Sequence, residues 1–309
     1  MVMVDDKIKG VLFGQAIGDA LGLGTEFMTK QDVNRFYPNG LTDYDQIIQD
    51  YHRKRWMKGD WTDDTEMMFC IANAIIEDKD IRLSTIAMNF KDWFNGEPLG
   101  IGGNTFKVLA FRDYVDYPHM VAEAIWKLSN KISAANGAVM RTSIVGLWNN
   151  DTERNASEIC KLTHYDPRCV GSCVIISLLI NNLVYKNQML SLEQLIEIGE
   201  RYDDRIREYL VKASQYDCVD DLVLDDSSMG YTLKTLAASI WCLFHCNSFD
   251  EGLLAVVNAG GDADTNAAVA CSLLGARYGY SSIPQKYIDG LKGKDKLNDI
   301  ITKLQNILF

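Results

Sequence analysis

Apolar residues recur at helical spacing along almost the whole chain, and this periodicity limits the fold more than any other feature of the sequence. Only five of the 309 residues are proline, so few positions force a helix to break. The alternation that is typical of strands is nearly absent. We therefore expect an all-α fold, one domain over residues 1–309, with helices near 6–21, 63–78, 82–95, 103–112, 119–128, 137–149, 155–162, 167–185, 191–199, 203–215, 229–246, 249–258, 265–278 and 295–307.

A stripe of four glycines, Gly10, Gly14, Gly18 and Gly22, lines one face of the first predicted helix. Each glycine in a helix interior costs about 1 kcal/mol relative to alanine, so the stripe indicates a demand from packing. Without side chains on that face, the backbone of a second helix can approach closely. Near Gly22 and Gly24, where the helix ends, a backbone that approaches a ligand is the alternative.

The charge balance narrows the class of partner. The chain has 42 acidic and 31 basic residues, a formal net charge of −11. Nucleic acids and anionic membranes favour clustered Lys and Arg, so we expect neither as the main partner. The first ten residues lack the pattern of a secretory signal, and no uncharged apolar run reaches about 18 residues. We expect a cytoplasmic, monomeric protein with no membrane span.

The eight cysteines are scattered, mostly within apolar helical patterns. Cys169 and Cys173 are four residues apart, as are Cys242 and Cys246, and this spacing would place two thiolates on one helix face, as in half of a zinc site. Val, Ile, Leu and Phe surround both pairs. We therefore interpret them as reduced core thiols, with zinc binding as the alternative.

Two acidic turns, each leading into a predicted helix, carry the chemistry. The first is GDWTDDT at residues 59–65 and the second is GGDADTN at residues 260–266. One Asp or Thr at a helix N-terminus is explained as a cap. Two carboxylates within three residues repel each other, and two such pairs fit a site in which cations lie between them. Oxygen ligands without nearby His or Cys favour Mg²⁺ or Mn²⁺ over zinc.

These two turns belong to a set of segments that resembles the ADP-ribosylglycohydrolases, which include dinitrogenase reductase activating glycohydrolase and the eukaryotic ADP-ribosyl-acceptor hydrolases. The resemblance covers nearly the whole chain, and the two acidic turns are its most specific part. The matching segments are GVLFGQAIGDALGLGTEF at 10–27, WTDDTEM at 61–67, IGGNT at 101–105, SAANGAVMR at 133–141, LTHYDP at 162–167, SSMGYTLKTL at 227–236 and VNAGGDADTNAAVACSLLGARYG at 257–279.

The resemblance implies a single compact domain of orthogonally packed helices, with two Mg²⁺ ions at the base of a cleft for the distal ribose of ADP-ribose. The metal ligands that it implies are Thr62, Asp63, Asp64, Asp262, Asp264 and Thr265. The catalytic residues that it implies are Glu26, Asp63 and Asp262. Which carboxylate acts as base and which as acid stays open.

The resemblance also implies a set of substrate contacts, namely Ser133, Asn136, Gly137, Ala138, Met140, His164 and Tyr231. The side chains of residues 134–138 are small, and Gly137 permits a positive φ, so successive N–H groups can form an anion-binding nest for the pyrophosphate. A plain turn before a helix is the alternative for this segment. His164 read alone would only pack or form a local hydrogen bond.

The expected activity is Mg²⁺-dependent hydrolysis of the bond between ADP-ribose and a modified protein side chain or another acceptor. A non-catalytic ADP-ribose-binding or structural protein and a two-metal phosphohydrolase are the alternatives. Gly100 stands where some arginine-directed members carry Asp, which weakens the case for an arginine-linked substrate. Serine-linked ADP-ribose, modified nucleic acid and a free metabolite remain open, with the net charge against nucleic acid.

Overall fold

The computed structural model describes residues 2–308, which form sixteen α-helices. The first eight are Val2–Gly22 (α1), Lys30–Phe36 (α2), Asp63–Asp78 (α3), Leu83–Asn95 (α4), Gly103–Leu109 (α5), Pro118–Leu128 (α6), Ser143–Leu147 (α7) and Thr152–Lys161 (α8). The other eight are Pro167–Asn181 (α9), Leu192–Glu200 (α10), Arg205–Gln215 (α11), Thr232–His245 (α12), Phe249–Val257 (α13), Ala263–Tyr278 (α14), Gln285–Gly290 (α15) and Lys294–Leu308 (α16).

The all-α prediction is confirmed, since residues 2–308 contain no strand and only two isolated bridges, Met28 with Gly261 and Ala135 with Tyr231. The helix predicted over 137–149 is wrong in part, because α7 covers only Ser143–Leu147 and a 3₁₀ turn precedes it. The backbone before this turn pairs instead with the loop that leads into α12. The short α2, which the periodicity did not predict, begins with a capping box at Thr29.

The glycine stripe of α1 packs against α14 in antiparallel register. A methyl group built on Gly10, Gly14, Gly18 or Gly22 would overlap the carbonyl oxygen of a facing residue, and those residues are Gly275, Cys271, Ala267 and Ala263. The partners step back by four as the glycines step forward by four, so the two backbones are in contact over the length of both helices. The packing interpretation of the stripe is therefore correct, and α1 packs more extensively on α14 than on any other helix.

One helical segment passes a length and hydropathy test for a membrane span. A window within Pro167–Lys186, which joins α9 to the π-helical turn that follows it, has a mean hydropathy of 1.6. However, 78% of that window is buried inside the fold, where α9 packs against α7, α8 and α12. Its apolar surface is thus covered by protein, as in a core helix.

All eight cysteines are free, and all except Cys218 are buried. Cys169 and Cys173 lie on buried α9, and Cys242 lies on buried α12. Within the described chain no cysteine belongs to the group of side chains close enough together to hold a metal ion. The cysteine pairs are therefore core thiols.

The helix pairing brings the two acidic turns to one place. Because α1 and α14 are antiparallel, the C-terminal end of α1 lies beside the N-terminal end of α14. Asp19, near the end of α1, accepts hydrogen bonds from the backbone N–H groups of Thr62 and Thr65, which fixes the N-terminus of α3 at the same point. Three helix ends therefore converge on the segments that carry the carboxylates.

Candidate metal and substrate site

The two acidic turns meet at the N-terminal ends of α3 and α14. The hydroxyl of Thr265 donates to Oδ1 of Asp64 at 3.2 Å, across 201 residues of sequence. Thr62 caps α3 by accepting from the N–H of Asp64, and Asp64 and Thr265 are buried. The structure thus brings together residues from both predicted halves of the metal site.

A second group of carboxylates extends the cluster toward the end of α1. One oxygen each of Glu26, Asp262 and Asp264 lies within 4.8 Å of the others, a spacing that suits a shared cation. Asp262 occupies the N-cap position of α14 but makes no capping hydrogen bond. Its Oδ2 instead accepts from the Asn136 amide at 2.7 Å. The capping explanation for this aspartate therefore does not hold.

Burial of this much negative charge has a clear electrostatic signature. Desolvation, together with repulsion from neighbouring carboxylates, raises the pKa of Asp63 to about 7 and that of Asp262 to about 6. The same causes raise the pKa values of Asp64 and Asp264 well above 3.8. Among the described residues, Oδ2 of Asp64 is buried without any hydrogen-bond partner. A cluster of hard oxygen ligands with an unpartnered buried oxygen fits a divalent cation such as Mg²⁺.

Asp19 is a member of this cluster that the sequence analysis missed. It is completely buried on α1. Its carboxylate accepts from the N–H of Thr62 at 2.9 Å, from the N–H of Thr65 at 3.0 Å and from the Thr65 hydroxyl at 2.6 Å. These bonds fix the first acidic turn to the C-terminal part of α1. The available signal was the single charged residue of the stretch 10–25, beside a glycine of the stripe.

Glu26 is held at the edge of the cluster by three residues that carried no sequence signal. Nε2 of His52 lies 2.6 Å from Oε2 of Glu26. The Arg55 guanidinium donates to Nδ1 of His52, so that nitrogen is an acceptor and Nε2 donates to Glu26. Buried Arg53 donates to the backbone carbonyl of Glu26. Phe27, the next residue, has a φ of 60°, a strained value for a bulky side chain.

A cleft of about 500 Å³ opens above the carboxylates. Its floor is formed by Thr62, Asp63, Asp64, Asp262, Asp264 and Thr265. Residues 99–105 form one wall, Met229 and Gly230 contribute to another, and Phe27, His52, Arg55 and Trp56 complete the lining. Glu26 also reaches the cleft. All of the predicted metal and catalytic residues therefore share one cavity.

The predicted substrate contacts divide into two groups. Asn136, Gly137, Met140 and His164 line the cleft. Three others do not, namely Ser133, Ala138 and Tyr231. The Ser133 hydroxyl donates to Asn104, Ala138 is buried in the core, and the Tyr231 hydroxyl accepts from Arg168 while its ring packs on Tyr209.

Gly137 permits a positive φ but does not adopt one, and Gly230, which pairs with the neighbouring Asn136, has a positive φ of 82°. The N–H of Asn136 donates to the carbonyl of Gly230, so it is not free to bind an anion. A Cβ on Gly137 would lie 3.1 Å from the ring of His164 and from the Thr105 hydroxyl. The glycine therefore keeps the cleft open next to His164.

His164 is buried, and its Nε2 has no hydrogen-bond partner within the described residues. Burial lowers its pKa to about 3, with a further contribution from Arg141, so the ring is neutral. Its Nδ1 lies 2.8 Å from the hydroxyl of Thr163. The unpartnered nitrogen lies beside Gly137, where His164 lines the cleft.

Comparison with known proteins agrees with this geometry. The family model described as ADP-ribosylglycohydrolase matches residues 2–308. The chain belongs to the ADP-ribosylglycohydrolase family. It is therefore a glycosidase-type hydrolase by family.

Two relatives and one solved structure show how far the similarity extends. The chain is 26% identical to the ADP-ribosylarginine hydrolase Tri1 of Serratia proteamaculans, over 97% of this chain and 79% of that protein. It is 26% identical to the ADP-ribosyl-[dinitrogen reductase] glycohydrolase of Rhodospirillum rubrum, over 94% of this chain and 92% of that protein. A structure titled ADP-ribosylglycohydrolase-related protein complex superposes with a TM-score of 0.80 at 23% identity, covers both chains completely, and shares the fold.

Proposed function

We propose that this protein is a Mg²⁺-dependent hydrolase that cleaves the bond between the anomeric carbon of ADP-ribose and an acceptor, releasing ADP-ribose. The observation that carries the proposal is the buried cluster of carboxylates at the base of the cleft, in which Oδ2 of Asp64 has no partner. Buried charges of one sign are unfavourable unless a counter-charge is present. The relatives named above act on ADP-ribosylated substrates, which supports the same chemistry here.

The ligands of the proposed metal site come from both acidic turns, namely Thr62, Asp63, Asp64, Asp262, Asp264 and Thr265. Their donor atoms are carboxylate and hydroxyl oxygens, which suit Mg²⁺ or Mn²⁺. When bound, two such ions would offset the charges of the four aspartates among these ligands and make the base of the cleft attractive to the hydroxyl groups and charged pyrophosphate of ADP-ribose.

Glu26 is placed for proton transfer. Hydrolysis of a glycosidic bond develops positive charge at the anomeric carbon, and it requires a base for the attacking water. Oε2 of Glu26 accepts from His52, which orients the carboxylate and leaves Oε1 for a water molecule. Asp262, whose carboxylate is oriented by Asn136, lies next to Glu26 and can stabilise the developing positive charge. We assign the base to Glu26.

The rim of the cleft, which includes Gly100, Arg55 and Trp56, indicates which class of acceptor the site takes. A Cβ on Gly100 would lie 3.0 Å from Oδ1 of Asp63 and 3.3 Å from the Trp56 ring, so glycine leaves this position beside Asp63 open. Arg55 lines the same rim, where it donates to the carbonyl of Leu99 and lies 4.4 Å from the Trp56 ring. A positive charge at the rim repels a guanidinium acceptor. We therefore propose an uncharged, oxygen-linked acceptor such as serine.

A panel of ADP-ribosylated substrates tests both the proposed hydrolase activity and the proposed oxygen-linked acceptor. Purified protein is incubated in Mg²⁺ with arginine-linked and serine-linked ADP-ribosyl peptides and with ADP-ribosylated nucleic acid, and free ADP-ribose is measured. We expect release from the serine-linked peptide, loss of release in chelator, and loss in Asp262→Asn. The matched control is Asp299→Asn on α16, where an exposed carboxylate pairs with Lys303 far from the cleft residues in sequence, and this variant should keep full activity.

Three outcomes would contradict the proposal at different levels. Release from the arginine-linked peptide alone would reject the oxygen-linked acceptor but keep the hydrolase. Formation of AMP and ribose phosphate would indicate a phosphohydrolase instead. Metal-dependent binding of ADP-ribose without release from any substrate would indicate a non-catalytic binding protein.

A further inference from the structure

Arg141 is a buried cation that the proposed reaction does not use. It is completely buried, and the ion pairs of residues 2–308 do not include it. Its guanidinium packs on the Phe90 ring at 4.3 Å, and Nη1 lies 3.5 Å from the sulfur of Met67. Its shortest polar contact is from Nη2 to the hydroxyl oxygen of Thr163, at 2.6 Å. A buried charge without a counter-ion is unfavourable, so this contact calls for an explanation.

The hydroxyl of Thr163 links Arg141 to His164. The guanidinium can only donate, so the Thr163 oxygen must accept from Nη2. The same oxygen lies 2.8 Å from Nδ1 of His164. Across the described part of the chain, no other acceptor is within hydrogen-bond distance of this buried hydroxyl. Its proton is therefore donated to Nδ1, which must carry a lone pair.

These constraints fix the tautomer of the imidazole. A neutral ring with a lone pair on Nδ1 has its proton on Nε2. Nε2 of His164 is buried, has no partner among residues 2–308, and lies beside Gly137 in the lining of the cleft. The low pKa of His164, which results from burial and the charge of Arg141, agrees with a neutral ring. The site thus presents one uncharged N–H donor to whatever fills the cleft.

We propose that Arg141 and Thr163 are positioning residues that hold His164 as an Nε2–H donor toward an oxygen atom of bound ADP-ribose. The hydrogen bonds from guanidinium to hydroxyl to imidazole form a chain, and each bond in such a chain strengthens the next. The arrangement gives an acidic protein a polarised donor for a phosphate or ribose oxygen without placing a cation next to the metal site. The identity of the ligand rests on the proposed function, whereas the tautomer does not.

The first test uses the free protein and requires no activity. The chain has only four histidines, so the imidazole ¹⁵N signals are few, and loss of one set in His164→Gln identifies those of His164. We expect the wild type and Thr163→Ser, which keeps the hydroxyl, to show a protonated Nε2 and an unprotonated Nδ1. Thr163→Val should shift both signals toward a mixture of tautomers. A protonated Nδ1 in the wild type, or no change in Thr163→Val, would overturn the proposal.

Arg141→Met provides a second route should Thr163→Val fold poorly. This change removes a buried charge and leaves an apolar side chain of similar length, so the fold should tolerate it. The guanidinium then no longer keeps the Thr163 hydroxyl proton turned away from it, so the hydroxyl can rotate and accept from Nδ1–H, and we expect a shift toward a mixture of tautomers. An unchanged Nε2–H tautomer in Arg141→Met would show that the guanidinium does not set the proton position.

The second test measures the dissociation constant of ADP-ribose in MgCl₂ by titration calorimetry. We expect Thr163→Val to bind about tenfold more weakly, the effect of one polarised hydrogen bond, and Thr163→Ser to bind as the wild type does. In a His164→Gln background, Thr163→Val should change the affinity little, because Thr163 acts through His164. An equal loss in both backgrounds would refute the coupling. A wild type with the Nε2–H tautomer that does not bind ADP-ribose would refute the ligand and the proposed function, but not the positioning role.

Discussion

Asp19→Asn should stabilise the metal-free protein at alkaline pH, although Asp19 makes several hydrogen bonds. Asp19 is completely buried, and desolvation raises its pKa from 3.8 to about 7 in spite of the bonds from Thr62 and Thr65. Because the folded-state pKa is the higher one, the favourable contribution of this carboxyl is complete below pH 3.8 and is lost as the pH rises to 7. At 1.36 kcal/mol per tenfold change, the loss is about 2 kcal/mol at pH 5 and about 4 kcal/mol above pH 7.

Asparagine resembles the protonated aspartic acid in shape and cannot ionise, so the variant avoids that loss. Its amide group faces the N–H groups of Thr62 and Thr65, and one mismatched contact costs about 1 to 2 kcal/mol. We therefore expect Asp19→Asn to be about 2 to 3 kcal/mol more stable than the wild type at pH 8 and about equal to it at pH 5. In Mg²⁺ at pH 8 the difference in stability between the variant and the wild type should become smaller or change sign, because the variant holds the first acidic turn less firmly.

The measurement is the free energy of unfolding by urea in a metal chelator at pH 5 and pH 8. Asp299→Asn serves as the control, because this exposed carboxylate should change the free energy by less than about 1 kcal/mol at either pH. The pH dependence of the difference is decisive, since it does not depend on the hydrogen-bond penalty. If Asp19→Asn were no more stable relative to the wild type at pH 8 than at pH 5, the reasoning would be refuted.

Three further predictions follow from the same cluster and its support. Because the pKa values of Asp63 and Asp262 are raised, the Tm of the protein in chelator should fall from pH 5 to pH 8. Mg²⁺ should raise the Tm more at pH 8 than at pH 5, as calorimetry can check. An equal rise at both pH values would count against a metal site at these residues. Gly18→Ala, whose methyl overlaps a carbonyl of α14, should destabilise by about 2 kcal/mol or more in urea unfolding, whereas Gly103→Ala, with nothing within 4 Å, should not. Asn136→Asp, which replaces the amide that donates to Asp262 by a like charge, should lower kcat/KM about 100-fold in the release assay; near wild-type kinetics would contradict the orienting role.

Much of the fold and the centre of the site could be predicted from the sequence because each depends on local pattern. Helical periodicity gave the bounds of α3 without error, and the glycine stripe indicated a close helix pair. The two acidic turns are recognisable because several carboxylates and hydroxyls occur within a few residues of a helix start. Their meeting in space could be inferred, since one cation site needs ligands from both.

The supporting residues could not be predicted because their partners are far away in sequence. Asp19 bonds to a turn 43 residues later, and neither segment shows the need for the other. His52 and Arg53 act on Glu26 from a 3₁₀ turn that has no helical periodicity. Gly137 permits a positive φ but does not adopt one, because the positive φ in that pair of loops belongs to Gly230, which lies 93 positions away in the chain.

The contact between α1 and α14 limits which parts of the site can change by substitution. From Gly10 to Gly22 the two backbones touch over about 18 Å, so the helix ends beneath the cleft move as one rigid body. At the four glycines, α1 has no side chain that could be made smaller, and any larger one would overlap α14. Residues 99–102, in contrast, approach the cleft from a loop. New acceptor preferences can therefore arise by substitution at the rim, while the spacing of the carboxylates is inherited unchanged from the backbone.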